Sequence, residues 1–95
     1  MKGWTFLTNH ARVLTSLAFH PQVTARELST SIGITERAVR SIIADLEIEK
    51  YIEKSKEGRR IRYKINPKLP FRHRSQRDKA IGILLKALGW KAKHQ

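Results

Sequence analysis

Cysteine is absent from this chain of 95 residues, which excludes a disulfide framework, a thiolate metal site and a cysteine nucleophile. Every zinc finger built on cysteine is excluded with them. Acidic residues are scarce: 8 Asp plus Glu stand against 20 Lys plus Arg, a formal net charge of +12. Apolar runs are only a few residues long, so no segment reads as a spanning helix. The opening Met1-Lys2-Gly3-Trp4 lacks the apolar stretch of a secretory signal. Glycine and proline, at five and three residues, punctuate rather than build linkers, and no repeat or low-complexity stretch is visible. These absences predict one folded domain in a reducing cytoplasm, with no membrane partner and with an anion as the first partner to seek.

What is present is helical for the first half. Val13, Leu14, Leu17 and Ala18 recur at helical spacing behind a possible Thr8 cap, which predicts a helix over 9–20, ended at Pro21. Thr24-Ala25-Arg26-Glu27 has the form of a capping box, so a second, short helix begins near Ala25 and stops at Gly33. Thr35 can cap a third, on which Ala38, Val39, Ile42, Ile43, Leu46 and Ile48 form an apolar stripe. Glu36, Arg37, Arg40, Ser41 and Asp45 occupy its other face.

The period then changes to two. Ile52, Ile61, Tyr63 and Ile65 alternate with charged residues on either side of Glu57-Gly58-Arg59-Arg60, the pattern of a β-hairpin with a basic tip. With Ile61, Tyr63 and Ile65 inward, Arg60, Arg62 and Lys64 point the other way and Arg59 sits at the tip. After a basic connector at Phe71-Arg72-His73-Arg74, Ser75 can cap a last helix carrying Ile81, Leu84, Leu85 and Leu88 before Gly89. Between Glu53 and Lys79 eleven Lys or Arg accompany three acidic residues, so the excess charge is concentrated in hairpin and connector. The predicted fold class is mainly α with a small β-hairpin, that is, α+β.

Helix, tight turn at Ile32-Gly33-Ile34 and longer helix is the order that presents a helix to the DNA major groove. Arg37, Arg40 and Ser41 at i, i+3 and i+4 share one face there, and arginine can fork to guanine or reach phosphate. Thr35 and the free amides of the helix start could hold a phosphate oxygen. Glu36 could accept from cytosine, although a carboxylate in a first turn more often complements the helix dipole. The bland alternatives are a solvated helix face for Arg37 and Arg40, and edge-strand protection for Arg59, Arg60 and Arg62.

The set Ile34-Thr35-Glu36-Arg37-Ala38-Val39, Asp45-Leu46-Glu47 and Gly58-Arg59-Arg60-Ile61-Arg62-Tyr63 resembles the winged helix-turn-helix domain of small stand-alone MarR-type and ArsR-type prokaryotic regulators. The resemblance covers about two-thirds of the chain, from Phe6 to Pro67. It implies that residues 1–67 form a winged helix-turn-helix DNA-binding unit, that Thr35, Glu36, Arg37, Arg40 and Ser41 belong to the recognition helix, and that Arg59, Arg60 and Arg62 belong to the wing, to which strand alternation adds Lys64. It also implies a homodimer on a partly palindromic operator, in a protein that is cytoplasmic and nucleoid-associated. Residues 68–95 are then a connector and C-terminal helix of the same domain. Ile81, Leu84, Leu85, Leu88 and Trp90 there either complete the monomer's core or pair two copies; pairing is the expectation, because three helices and a hairpin look able to close a core alone. Trp4, Phe6 and Trp90 could pack together near the two ends.

No cofactor is expected. His10, His20, His73 and His94 are scattered, so no metal site is expected either. A small-molecule effector finds no cysteine ligands and little chain for a crevice. No catalytic residues are expected: nucleophile, phosphate-binding glycine loop and paired acid and base are all missing at useful spacings. The rival to sequence-specific duplex binding is a non-sequence-specific architectural or RNA-binding module of the same fold. Against the RNA form, only Tyr63 and Phe71 are aromatic within the basic segment, which leaves little for bases to stack on.

Overall fold

Each of the first three helices begins on a threonine. The structure, a computed structural model, describes residues 5–91; Trp4 and His94 lie outside the described residues. In chain order it contains α1 (Asn9–Phe19), α2 (Ala25–Ile32), α3 (Glu36–Ile48), strands β1 (Ile52–Glu57) and β2 (Arg60–Ile65), a 3-10 turn at Arg74–Gln76, and α4 (Ile81–Ala87). The fold is α+β, four helices with one two-stranded antiparallel hairpin among the described residues. Thr8, Thr24 and Thr35 keep extended backbone, and their hydroxyls accept from the amides of Ala11, Glu27 and Ala38 at 3.0–3.1 Å. At Thr24 the Glu27 carboxylate also accepts from the Thr24 amide at 2.9 Å, which closes the capping box.

The ends of α2 and α3 are set by left-handed residues. Gly33, at φ 86°, stops α2 where a side chain would be strained. At the end of α3 the same work falls to Lys50, at φ 72°. The Tyr51 amide there donates to Leu46 O at 2.9 Å and the Lys50 amide to Glu47 O at 3.0 Å, the paired bonds of a Schellman motif. The helices close on Val13, Leu14, Leu17, Leu28, Val39, Ile42, Ile43 and Leu46, and the hairpin base adds Tyr51, Ile52 and Ile65. Ile48 departs from the expected stripe and is 72% exposed. At 100° per residue the buried face has rotated past it after Leu46, and Ile48 falls on the outer side with Arg37 and Ser41.

β1 and β2 pair in register from Ile52 with Ile65 to Glu57 with Arg60, joined by the two-residue loop Gly58-Arg59. The free edge of β2 is covered, since the Tyr63 amide donates to Pro21 O at 2.8 Å. Ile61, expected inward, is 41% exposed, because it lies near the hairpin tip beyond the reach of the helices.

Two expectations for the C-terminal part are corrected. Ser75 does not cap a long helix: it lies in the 3-10 turn, where its amide donates to His73 Nδ1 at 3.2 Å. The chain turns again at Arg77–Asp78, and only Ala80 is extended, bridged to Leu69–Phe71 by Phe71 N to Lys79 O at 3.0 Å and Ile81 N to Leu69 O at 2.8 Å. α4 begins only after that, with no side-chain cap. The second correction concerns the core, which is not closed by three helices and a hairpin. Ile81 and Leu85 are buried in the same cluster as Leu17 and Val39, and Trp90 packs against it. The Trp90 indole Nε1 donates to Ala18 O at 3.1 Å, which satisfies a carbonyl in the last turn of α1. Leu84 is half-buried and Leu88 is 44% exposed, so the expected pairing stripe is divided between core and surface.

Candidate nucleic-acid interface

The position of α3 rests on polar contacts as well as on its apolar back. At the α2–α3 turn the Ser29 hydroxyl donates to Ile34 O at 2.6 Å, and Arg12 from α1 donates through Nη2 to Ile32 O at 3.0 Å. A guanidinium at the C-terminal carbonyls of α2 suits the helix dipole and fixes the angle at which α3 leaves the turn. On the far flank of α3, His10 Nε2 and Asp45 Oδ2 meet at 2.8 Å. The opposite flank faces the hairpin, where Lys54 Nζ stands 3.7 Å from Glu47 Oε1.

Between these flanks the outer face of α3 carries exposed Arg37 and Ser41, with Ala44 and Ile48 further along. Arg40 leans toward the hairpin side and donates through Nη2 to Glu36 Oε2 at 2.6 Å. Arg40 is largely in solvent and Glu36 half-exposed, so this i, i+4 pair contributes only about 0.3–0.5 kcal/mol and yields readily to a stronger anion. Glu36 therefore orients Arg40 in the free protein. Thr35 is committed as the cap of α3, its hydroxyl lone pair accepting from Ala38.

Arg40, Ala44 and Glu47 of α3 line one open groove with Lys54, Arg59, Arg60 and Tyr63 of the hairpin, of about 510 Å³. The start of α2 closes its end at Thr24 and Ala25. Burial pushes the Tyr63 phenol above its ordinary value, and the Glu47 carboxylate adds to this while Arg40 opposes it. Tyr63 thus stays protonated at neutral pH and is available as a donor. Glu27, at the same end, is held below the ordinary carboxylate value by the Thr24 amide and hydroxyl, with a smaller contribution from the charge of Arg60.

Of the expected hairpin cations, the structure gathers Arg59 and Arg60 on the α3 side and separates Arg62 and Lys64 from them. Strand register puts Arg60, Arg62 and Lys64 on one face, but Glu57 and Glu53 stand directly opposite Arg60 and Lys64 across the ladder. That face is less cationic than alternation in β2 alone suggests, and its Arg62 and Lys64 border a second cleft behind the hairpin. Among the described residues no ion pair involves Arg37, Arg59, Arg60 or Arg62.

Lys54, Tyr63 and Glu47 are among the polar groove residues not singled out from sequence as site residues. The signal for Lys54 was present: it alternates in phase with Ile52, hence on the face turned to the helices. Among the described residues no group of His, Cys, Asp or Glu is placed to hold a metal ion, and no helix is long and apolar enough to cross a membrane. Compared with family models, curated proteins and solved structures, the chain shows no match.

Proposed function

We propose that this chain is a non-enzymatic winged helix-turn-helix regulator of transcription, similar to the MarR and ArsR types, that binds duplex DNA sequence-specifically as a homodimer. α3 lies in the major groove with Arg37, Arg40 and Ser41 toward base edges, and Arg59 and Arg60 hold the flanking backbone or minor groove. The observation that carries this reading is the shared groove, in which an arginine of α3 and two of the hairpin converge with no carboxylate paired to the hairpin arginines. An enzyme would need a nucleophile or an acid–base pair in that groove; its acid, Glu47, is instead matched to Lys54.

The dimer is the second part of the proposal. With Ile81 and Leu85 in the core, the apolar residues of α4 left for a second copy are Leu84, Leu88 and Ile83, the last 55% exposed and not anticipated. Regulation on the nucleoid follows from the duplex partner.

Selection from a randomised duplex library at near-physiological salt tests both parts, because non-specific electrostatic binding is weakened there. The expected outcome is a palindrome with half-sites about one helical turn apart. A single enriched half-site would retain base reading and remove the dimer. No enrichment would overturn sequence-specific regulation and leave an architectural or RNA-binding module.

A further inference from the structure

The cleft behind the hairpin is built from segments far apart in the chain. Phe19 and Ala18 come from the end of α1, Trp90 and Lys91 from beyond α4, and Arg62 and Lys64 from β2. It is open and measures about 1140 Å³. Enclosed small-molecule pockets run to roughly 300–1,000 Å³ and are mostly apolar, so size and exposure favour an extended ligand over a compact one.

The chemistry of the walls narrows the ligand further. Arg62, Lys64, Lys68 and Lys91 bring four cations, against the single carboxylate of Glu53. Phe19 is 42% exposed; Trp90 is half-buried against the core and fixed by its indole bond to Ala18 O, so the part of its ring that borders the cleft has a set orientation. A duplex backbone would use the cations and leave the aromatic rings idle. Flat rings beside a cationic track match bases that are free to unstack.

We propose that this cleft binds single-stranded nucleic acid, with bases stacked on Phe19 and Trp90 and phosphates held by Arg62, Lys64 and Lys68. The site is separate from the duplex groove on the α3 side. Tyr63 borders both, so a strand in one cleft lies against the same hairpin that grips a duplex in the other.

The test uses the full chain and a fluorescent oligothymidylate, with an abasic oligomer of equal phosphate number and the duplex selected above measured alongside. Oligothymidylate should bind more tightly than the abasic oligomer. Phe19→Ala should weaken it by about 5- to 150-fold, the loss of one stacked base. Lys68→Glu, at an exposed position that leaves the core untouched, should weaken both oligomers, and neither it nor Phe19→Ala should weaken the selected duplex. Equal binding of the abasic oligomer, no effect of Phe19→Ala in a variant with unchanged circular dichroism, or equal competition by polyglutamate overturns the proposal. So does a parallel loss of oligomer and duplex in Arg59→Ala with none in Phe19→Ala, which would place the strand in the α3 groove. Failure of the duplex to show base preference bears on the regulator reading alone.

Discussion

The stretch from Thr8 to Tyr51 and the stretch from Pro67 to Trp90 are held in place by different means. Every helix in the first starts on its own threonine, and α2 and α3 stop on left-handed residues, Gly33 and Lys50. α4 has seven residues and no side-chain cap at its start. It stands because Ile81 and Leu85 are buried, because the Gly82 amide donates to Pro67 O at 2.9 Å, and because Trp90 reaches Ala18. Local signals fix where α2 and α3 begin and end, whereas the start of α4 is fixed by what it docks against; all three need the packed core to persist. The two parts share one core, so substitutions in either lower the same stability through different interactions.

The sharpest break is at Gly82. A Cβ there would sit 2.9 Å from both Pro67 Cβ and Pro67 O. Neither can retreat without loosening the Gly82–Pro67 hydrogen bond. Gly82→Ala should cost about 1–3 kcal/mol of stability, the range for overpacking a filled site, read from denaturant midpoints at unchanged slope. A neutral result would mean that α4 does not lie against Pro67 in solution. Arg40→Ala should behave in the opposite way. Cognate duplex binding falls by about 1–3 kcal/mol with relaxed base preference, while stability changes by no more than the roughly 0.3–0.5 kcal/mol of an exposed i, i+4 pair. Arg60→Ala should weaken all duplexes alike; equal sequence-independent losses for the two variants would remove Arg40 from base reading.

Thr24→Ala probes the locally determined half. Losing the hydroxyl that accepts from Glu27 N should cost about 1 kcal/mol. It should also change the acid side of the stability curve. Glu27 has its folded value lowered, chiefly by the Thr24 amide and then by the Thr24 hydroxyl, so its contribution is complete above the unfolded carboxylate value and is lost as pH falls through the folded one. Thr24→Ala removes the hydroxyl and keeps the amide, so midpoints at neutral and at acid pH should draw only partly together, whereas Glu27→Gln should bring them closer. A Glu27→Gln pH dependence equal to that of wild type would remove Glu27 from the acid limb.

This division also decides what could be read from the chain alone. The three threonine starts, the Gly33 stop and a turn within Glu57–Arg60 depend on neighbours within a few positions and are legible in the chain alone; that Glu57 and Arg60 pair, leaving a two-residue loop, is not. The start of α4 depends on Leu69–Phe71 bridging Lys79–Ile81, a contact that helical periodicity does not report and that the cap pattern at Ser75 does not reveal. The same limit applies to the site. Arg37, Arg40, Ser41, Arg59 and Arg60 were visible as cations or polar groups on short-range patterns. The separation of Arg62 from Arg60 was not, since it follows from where α1 and Trp90 close the back of the hairpin. Aromatic residues looked too few among the basic ones because Phe19 and Trp90 lie far from Arg62 in sequence and meet it only in the fold.

The smallest effect tests the end of α3, where a local rule is obeyed by an unfavoured residue. Lys50 occupies the left-handed position that glycine usually takes, at φ 72°. A non-glycine side chain there costs about 1–2 kcal/mol, and replacing it by glycine returns part of that gain as unfolded-chain entropy, about 0.5–1 kcal/mol. Lys50→Gly should accordingly raise stability by a few tenths to about 1 kcal/mol. Lys50→Ala keeps the strained backbone and loses only an exposed chain, so the difference between the two variants isolates the conformational cost. Equal midpoints for the glycine and alanine variants would show that Lys50 is not left-handed in solution. The Tyr51–Leu46 and Lys50–Glu47 bonds could not then both persist, and the link between α3 and the hairpin would have to be built another way.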